Sequence, residues 1–128
     1  MDLLQELIKS QDNLQDIQFT LNEKTYKWCF RYLTLLEKVR IEQMCIKAVT
    51  TINNDGSSIV KYEKQDHLIP LHTILEKALD EDGKRLFSHT NPDDFQTVSL
   101  LSAGLGGYVA YQFSKDIFGD MTPKASNG

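Results

Sequence analysis

Apolar residues change their spacing several times along this chain, and each change marks an element. Leu3, Leu4, Leu7 and Ile8 recur at helical intervals, and the polar run 10–13 ends that short amphipathic helix. From residue 15 the period drops to two. Ile17, Phe19 and Leu21 alternate with Gln18 and Thr20, Asn22-Glu23-Lys24 supplies a turn, and Tyr26, Trp28, Phe30 and Tyr32 alternate with Lys27, Cys29 and Arg31. Aromatic residues on every second position are the mark of a half-buried strand, so 15–33 is expected to form a β-hairpin with Trp28 at least partly buried. A competing pattern stands beside it: 27–40 contains no breaker, and 25–48 also reads as one long helix.

Thr34 and Glu37 have the spacing of a capping box, which starts a helix at residue 35 and carries it to about 49. Leu35, Val39, Ile46 and Val49 fall on one face of that helix, and Ile41, Met44 and Ala48 on the opposite one. A helix apolar on two sides is either central in the core or shared between core and partner. Residues 50–52 and 59–60 are β-branched and flank Asp55-Gly56, which fits a second hairpin or a loop after the helix. Helical spacing returns over 67–80, with Pro70 in the first turn, and Asp82-Gly83 closes it. A last helix is expected over 92–118: Asn91 caps it, Pro92 opens it, Asp93 and Asp94 complement the dipole, Lys115 lies in the final turn and Gly119 follows. The sum is a mostly helical α+β fold, an N-terminal β-hairpin packed with three to four helices. It forms one globular domain over 1–119, with a flexible tail at 120–128.

Composition narrows the class. Hydrophobic residues make up 41% and charged residues 25%, proportions that suit a packed core. A formal charge of −4 releases few counterions, which argues against a nucleic-acid role. Cys29 and Cys45 form no CxxC pair and lie in apolar surroundings, which suits free thiols of a reducing compartment. The N-terminus has early acidic residues and no signal-peptide run, so a cytoplasmic location is expected. Residues 95–114 carry no charge, yet Gln96, Thr97, Ser99, Ser102, Gln112 and Ser114 make them too polar for a membrane span.

Candidate chemistry is thin. The segment SAGLGGY at 102–108 lacks the third glycine of a dinucleotide fingerprint, since position 109 is Val109. His67, His72 and His89 have no metal-ligand spacing, and Asp80, Glu81 and Asp82 lack the rest of a calcium loop, which leaves them a solvated turn. No nucleophile stands at a recognisable distance from a base, so no catalytic, cofactor-binding or metal-ligating residue is expected. The last predicted helix does carry a stripe of small side chains, Ser99, Ala103, Gly106, Gly107, Ala110 and Ser114. Glycine within a helix costs about 1 kcal/mol against alanine. The expectation is therefore a close approach of another helix, from the same chain or from another subunit, unless the glycines break the helix near 104–107.

Two stretches taken in order, FTLNEKTYKWCFRYLTLLEKVRIE and LEKALDEDGKRLFSHTNPDDFQTVSLL, resemble the tail assembly chaperones of long-tailed bacteriophages. The first has a strand pair running into a helix start at Leu33-Thr34 and Glu37. The second has an apolar helix, the acid-glycine turn from Asp80 to Gly83, the basic-apolar step from Lys84 to Phe87, and a further helix with an acidic start. The resemblance spans about 18–118, and it departs from the family in its aromatic-rich second strand and in the segment around Asp55-Gly56. It implies a non-enzymatic late protein of the infected host cytoplasm, absent from the finished virion. Such a protein holds the tape-measure protein and recruits tail-tube subunits, and a homo-oligomer is compatible with that task. It also implies a longer form made by ribosomal frameshifting. Thr122-Pro123-Lys124 is compatible with a slippery codon heptamer and equally with an ordinary tail. A small cytosolic adaptor unrelated to tails is the other reading of the same residues.

Overall fold

The computed structural model describes residues 2–115, and the side chain of Leu21 is outside that description. The architecture is α+β: five α-helices and two antiparallel hairpins in the order α1 (Leu3–Gln11), β1 (Gln15–Leu21), β2 (Lys24–Phe30), α2 (Leu35–Met44), β3 (Ile46–Ile52), β4 (Ser58–Lys64), α3 (Ile69–Lys77), α4 (Pro92–Ser99) and α5 (Ala103–Ser114). A short 3-10 turn, Asp66–Leu68, leads into α3.

The first hairpin forms as its alternation predicts. Ile17 faces Trp28, Phe19 faces Tyr26 and Gln15 faces Phe30 across the ladder. Asn22 and Glu23 make the two-residue turn with φ of 51° and 67°, the left-handed pair that matches strand twist. Asparagine tolerates that conformation well, whereas glutamate is held there at a cost. The far edge of β2 is also used. Cys29 and Leu79 exchange both backbone hydrogen bonds, at 2.9 and 2.8 Å, so the segment after α3 lies beside β2 and buries Ala78 and Leu79. For this reason α3 stops at Lys77 and does not reach residue 80 as its apolar spacing suggested. Asp80 then folds its own turn, accepting from the amides of Asp82 and Lys84 at 2.9 Å each, while Gly83 takes φ +82°.

The helix expected over 35–49 ends at Met44. Cys45 caps it, and Ile46 and Val49 lie in β3 instead of on a helical face. The cause is the β-branched run that follows, whose backbone pairs with β4 from Ile46–Lys64 to Ile52–Ser58. Asp55 closes the turn by accepting from the Ser57 amide and hydroxyl, and Gly56 supplies φ +87°. Of the two readings left open for 50–60, the hairpin is the one realised. It stands away from the body, with nearly all its side chains exposed.

The single helix expected over 92–118 is two. α4 starts as anticipated, with the Asn91 side chain accepting from the Asp93 amide at 3.0 Å, but it ends at Ser99, with Leu100 as its C-cap. Ser102 then caps α5 by accepting from the Leu105 amide at 3.1 Å. A serine hydroxyl competing for backbone donors, just ahead of three weak helix formers, makes the break cheap. The break falls before the glycines, not within them. The expected helix end at 116–118, Gly119 as its terminator, the tail 120–128 and the Thr122-Pro123-Lys124 site lie outside the described residues.

One core joins these pieces. Ile74 and Leu75 come from α3 and Ala78 from just after it, Val109, Ala110 and Phe113 from α5, Val98 from α4, and Ile17 and Phe30 from the hairpin. Phe113 is fully buried. Its ring centroid lies 4.9 Å from that of Phe30 and 6.5 Å from that of Trp28, and Trp28 meets Phe87 edge-on at 5.6 Å. Burying a side chain of this size is worth roughly 1.5–3 kcal/mol.

Candidate protein-binding groove

The core leaves α1 and the outer face of α2 uncovered. Asp2 caps α1, its carboxylate accepting from the Gln5 amide at 2.9 Å, and the helix presents its apolar stripe toward α2 without burying any residue. On α2 only Ile41 is buried, while Leu35 is 83% exposed and Leu36 and Val39 are exposed beside it. The two-sided helix is therefore split between core and surface. Between α1, the length of α2, the first half of α3 and the end of α5 lies a groove of about 610 Å³. Its walls are Leu4, Leu7 and Ile8 on one side, and Leu35, Ile41 and Ile69 on the other. Lys38 and Glu42 stand on its α2 wall, Thr73 on its α3 wall, and Ser114 at the end of α5. On the same helix as Leu4, Leu7 and Ile8, Leu3 is also exposed, at 71%. Contiguous exposed apolar surface of this kind marks an interaction site more often than an ordinary face.

Beside the groove, one carboxylate braces α2 against α3. The capping box is present in full: the Glu37 amide donates to Thr34 Oγ1 at 3.1 Å and the Thr34 amide donates to Glu37 Oε1 at 3.0 Å. The same carboxylate accepts from Lys77 Nζ at 3.0 and 2.9 Å, and Lys77 is itself buried. Burial pushes the Glu37 carboxyl up, but the Thr34 hydrogen bonds and the Lys77 ammonium outweigh it and hold the group below its ordinary value. One glutamate thus starts α2 and ties it to α3.

A second polar cluster lies nearby. Glu76 accepts from Arg40 at 3.3 Å, meets Arg85 at 3.1 Å and His89 Nε2 at 2.8 Å. The His89 ring stacks on His72 at 5.6 Å, and the buried His72 Nδ1 has no hydrogen-bond partner among the described residues. Burial, and then the neighbouring His89, lower the His72 pKa. Arg31, Glu37, Glu76, Lys77 and Arg85 line a recess of about 310 Å³ here. Its charges are largely spent on one another, which makes it a joint between α2, α3 and the segment after the Asp80 turn. No group of three or more metal-ligating side chains occurs among the described residues, and none of their helices is long and apolar enough to cross a membrane. Cys29 and Cys45 are free and buried, and burial raises both thiols.

The small-residue stripe divides between the two helices. Ser99 lies on α4, and Ala103, Gly106, Gly107, Ala110 and Ser114 lie on α5. Only Ala110 is buried; Ser99, Ala103, Gly107 and Ser114 are exposed and Gly106 is half-buried. A Cβ at Gly107 or Gly104 would meet no heavy atom within 4 Å, and one at Gly106 would make an ordinary contact with Leu101. Within the described residues, then, no second backbone approaches Gly107. α5 packs into the core through Val109, Ala110 and Phe113, so one member of the stripe shares the buried face. The groove itself was half legible: the α1 stripe and the two-sided α2 were visible as patterns, but nothing in the spacing brought them together. The Glu76 cluster gave no signal, because its partners are 9, 13 and 36 positions away.

Fold and site together define an α+β domain with an open apolar groove beside a half-buried ion pair. No family model matches the chain. It is similar to peptide chain release factor 1 of Borreliella afzelii strain PKo, at 26% identity over 122 residues, covering 87% of this chain and 34% of that protein. It is also similar to peptide chain release factor 1 of Borrelia garinii subsp. bavariensis, at 25% identity over 118 residues, 84% of this chain and 32% of that protein. The chain spans about a third of the length of the curated relatives it matches. No solved structure matches it.

Proposed function

We propose that this chain is a non-enzymatic binding protein of the tail assembly chaperone type, which takes apolar helical segments of a tape-measure protein into its groove and recruits tail-tube subunits. The observation that carries this reading is the groove with its uncovered leucines on α1 and α2. An amphipathic helix laid into such a groove buries its apolar stripe on both walls, the ordinary way a helix is recognised. The resemblance in 18–118 supplies the identity of the guest. The protein acts in the host cytoplasm and is left out of the finished virion, and the frameshifted form adds a second module after the same domain.

Co-purification from infected cells tests it. The tagged chain is expected to bring down the tape-measure and tail-tube proteins, and Leu4→Asp with Leu35→Asp is expected to reduce recovery by roughly tenfold with the melting temperature unchanged, since both positions are exposed. Recovery of neither protein would sink the reading. An overlapping downstream frame at a slippery heptamer in the gene tests the longer form.

A second reading follows from the match to peptide chain release factor 1 across most of this chain. In it the chain is a domain-length relative that takes part in peptide chain release. Addition of the chain to a reconstituted translation system separates the two, because only this reading expects a change in the release of completed chains.

A further inference from the structure

The apolar groove adjoins the polar recess: Gln11 at the end of α1 and Thr34 at the cap of α2 line both. At the recess Glu37 takes Lys77, and Glu76 takes Arg40 and Arg85. Arg31 lines the same recess and makes no ion pair with any described residue. It follows β2 directly, is half-buried, and donates through Nε to the backbone carbonyl of Asp12 at 3.1 Å. Its terminal nitrogens lie over Gly83, so near that a Cβ on that glycine would stand 3.2 Å from Nη2. We infer that Arg31 selects the guest of the groove: it receives the carboxylate of an aspartate or glutamate that stands beside the apolar stripe of a bound amphipathic helix. The inference deepens the helix-binding reading of the groove and rests on it.

Chemistry, geometry and charge favour this occupant. A guanidinium presents paired N–H donors that match the two oxygens of a carboxylate. In Arg31 the Nε donor is spent on Asp12, and the terminal nitrogens have no hydrogen-bond acceptor among the described residues. The Asp12 bond and the contact with Gly83 hold the group in place, so little side-chain freedom is left to lose when a ligand arrives. Arg31, Arg40, Lys77 and Arg85 face Glu37, Glu76 and the exposed Asp12, which leaves an excess of positive charge at this spot in a chain of formal charge −4. The Asp12 carboxylate does not neutralise Arg31, which engages the backbone carbonyl of that residue instead. On the groove wall Lys38 and Glu42, one turn apart on α2, carry opposite charges and offset each other. A guest's acid therefore finds its complement at Arg31, and a guest with only apolar and basic residues does not.

The test titrates the full chain against dye-labelled helical peptides, read by fluorescence anisotropy at low ionic strength. The parent peptide is built of alanine, glutamine and lysine with leucines at i, i+3, i+4 and i+7, and carries no acid. Its relatives carry one glutamate, placed in turn at each position flanking the stripe. All are expected to bind, and a glutamate at the position facing Arg31 is expected to tighten binding by roughly fivefold, a gain that shrinks at high salt. Arg31→Gln is expected to remove the gain and leave the affinity for the parent peptide unchanged. Arg31→Glu is expected to reverse the preference, so that lysine at that position binds best. Binding of the parent peptide reports in each variant that the groove is still formed, which separates loss of selection from loss of fold. Equal binding of the glutamate and parent peptides at every position would overturn the inference while leaving the groove as a helix site, and so would a gain that survives in Arg31→Gln. A mass of two chains by light scattering that falls to one in Arg31→Gln would also overturn it, by giving the recess to a second copy. If no peptide binds, the parent included, the helix-binding reading fails and the role of Arg31 fails with it.

Discussion

Glu37 carries more than any other single side chain here. It completes the cap of α2 and neutralises a lysine that is buried at the end of α3. Lys77 is buried and Glu37 half-buried, so removing the glutamate leaves a buried ammonium unpaired, which costs about 3 kcal/mol. Glu37→Ala is therefore expected to lower stability by about 3 kcal/mol, measured by urea denaturation, with Lys77→Met costing less. The double variant Glu37→Gln with Lys77→Met is expected to recover most of the loss, since no unpaired charge remains. A double variant as unstable as Glu37→Ala would show that packing, and not the pair, holds the two helices. The capping box itself was readable from Thr34 and Glu37. The lysine was not, because it lies 40 positions away and charge alone does not say which residue will be buried beside it.

At the scale of elements, the helices end where a side chain or a neighbouring strand offers the backbone a better partner. Ser102 splits α4 from α5, the β3–β4 ladder stops α2, and the edge of β2 stops α3. None of these endings is written in apolar spacing, which continues across all three. α5 shows the opposite case, a helix that persists through three glycines. Because no atom lies within 4 Å of a Cβ at Gly107, Gly107→Ala is expected to stabilise the free protein by about 0.5–1 kcal/mol. For a chain of this size that raises the melting temperature by about 2–5 °C. A drop in melting temperature would mean that another surface already covers Gly107 in solution. The outer hairpin contributes little to the core; a two-stranded ribbon exposed on both faces is marginal alone, and its base is held by the hydrogen bond from the Gln65 amide to the Cys45 carbonyl.

For the whole molecule, His72 and Glu37 dominate the response to acid among the three groups whose pKa is lowered, the third being the fully exposed Asp55 of the outer turn. His72 is kept neutral by burial and by His89. The unfolded chain binds that proton more readily than the folded one once the pH falls below about 6.5, the ordinary histidine value, so stability declines from there downward. Glu37 adds its part below about 4.5, where the unfolded carboxyl protonates first. Melting temperatures are thus expected to fall between pH 7 and pH 5 and again below pH 4.5. His72→Leu is expected to flatten the first step and leave the second. A first step unchanged in that variant would assign it to another group.

By itself the sequence determined the elements whose causes are local. The first hairpin follows from period-two aromatics and an Asn-Glu turn, α2 from its capping box, the start of α4 from Asn91-Pro92, and the Asp80 turn from an acid followed by glycine. The α+β class follows from these together. Tertiary structure alone decided where helices stop, which side of α2 is buried, that Leu79 joins β2, and that Glu76 gathers Arg40, Arg85 and His89. It also decided that the leucines of α1 and α2 face one groove, while Gly104 and Gly107 of α5 meet none of the described residues. The difference is one of range: a cap or a turn is settled by neighbours three or four residues away, whereas burial and charge pairing depend on which distant segments the core brings into contact.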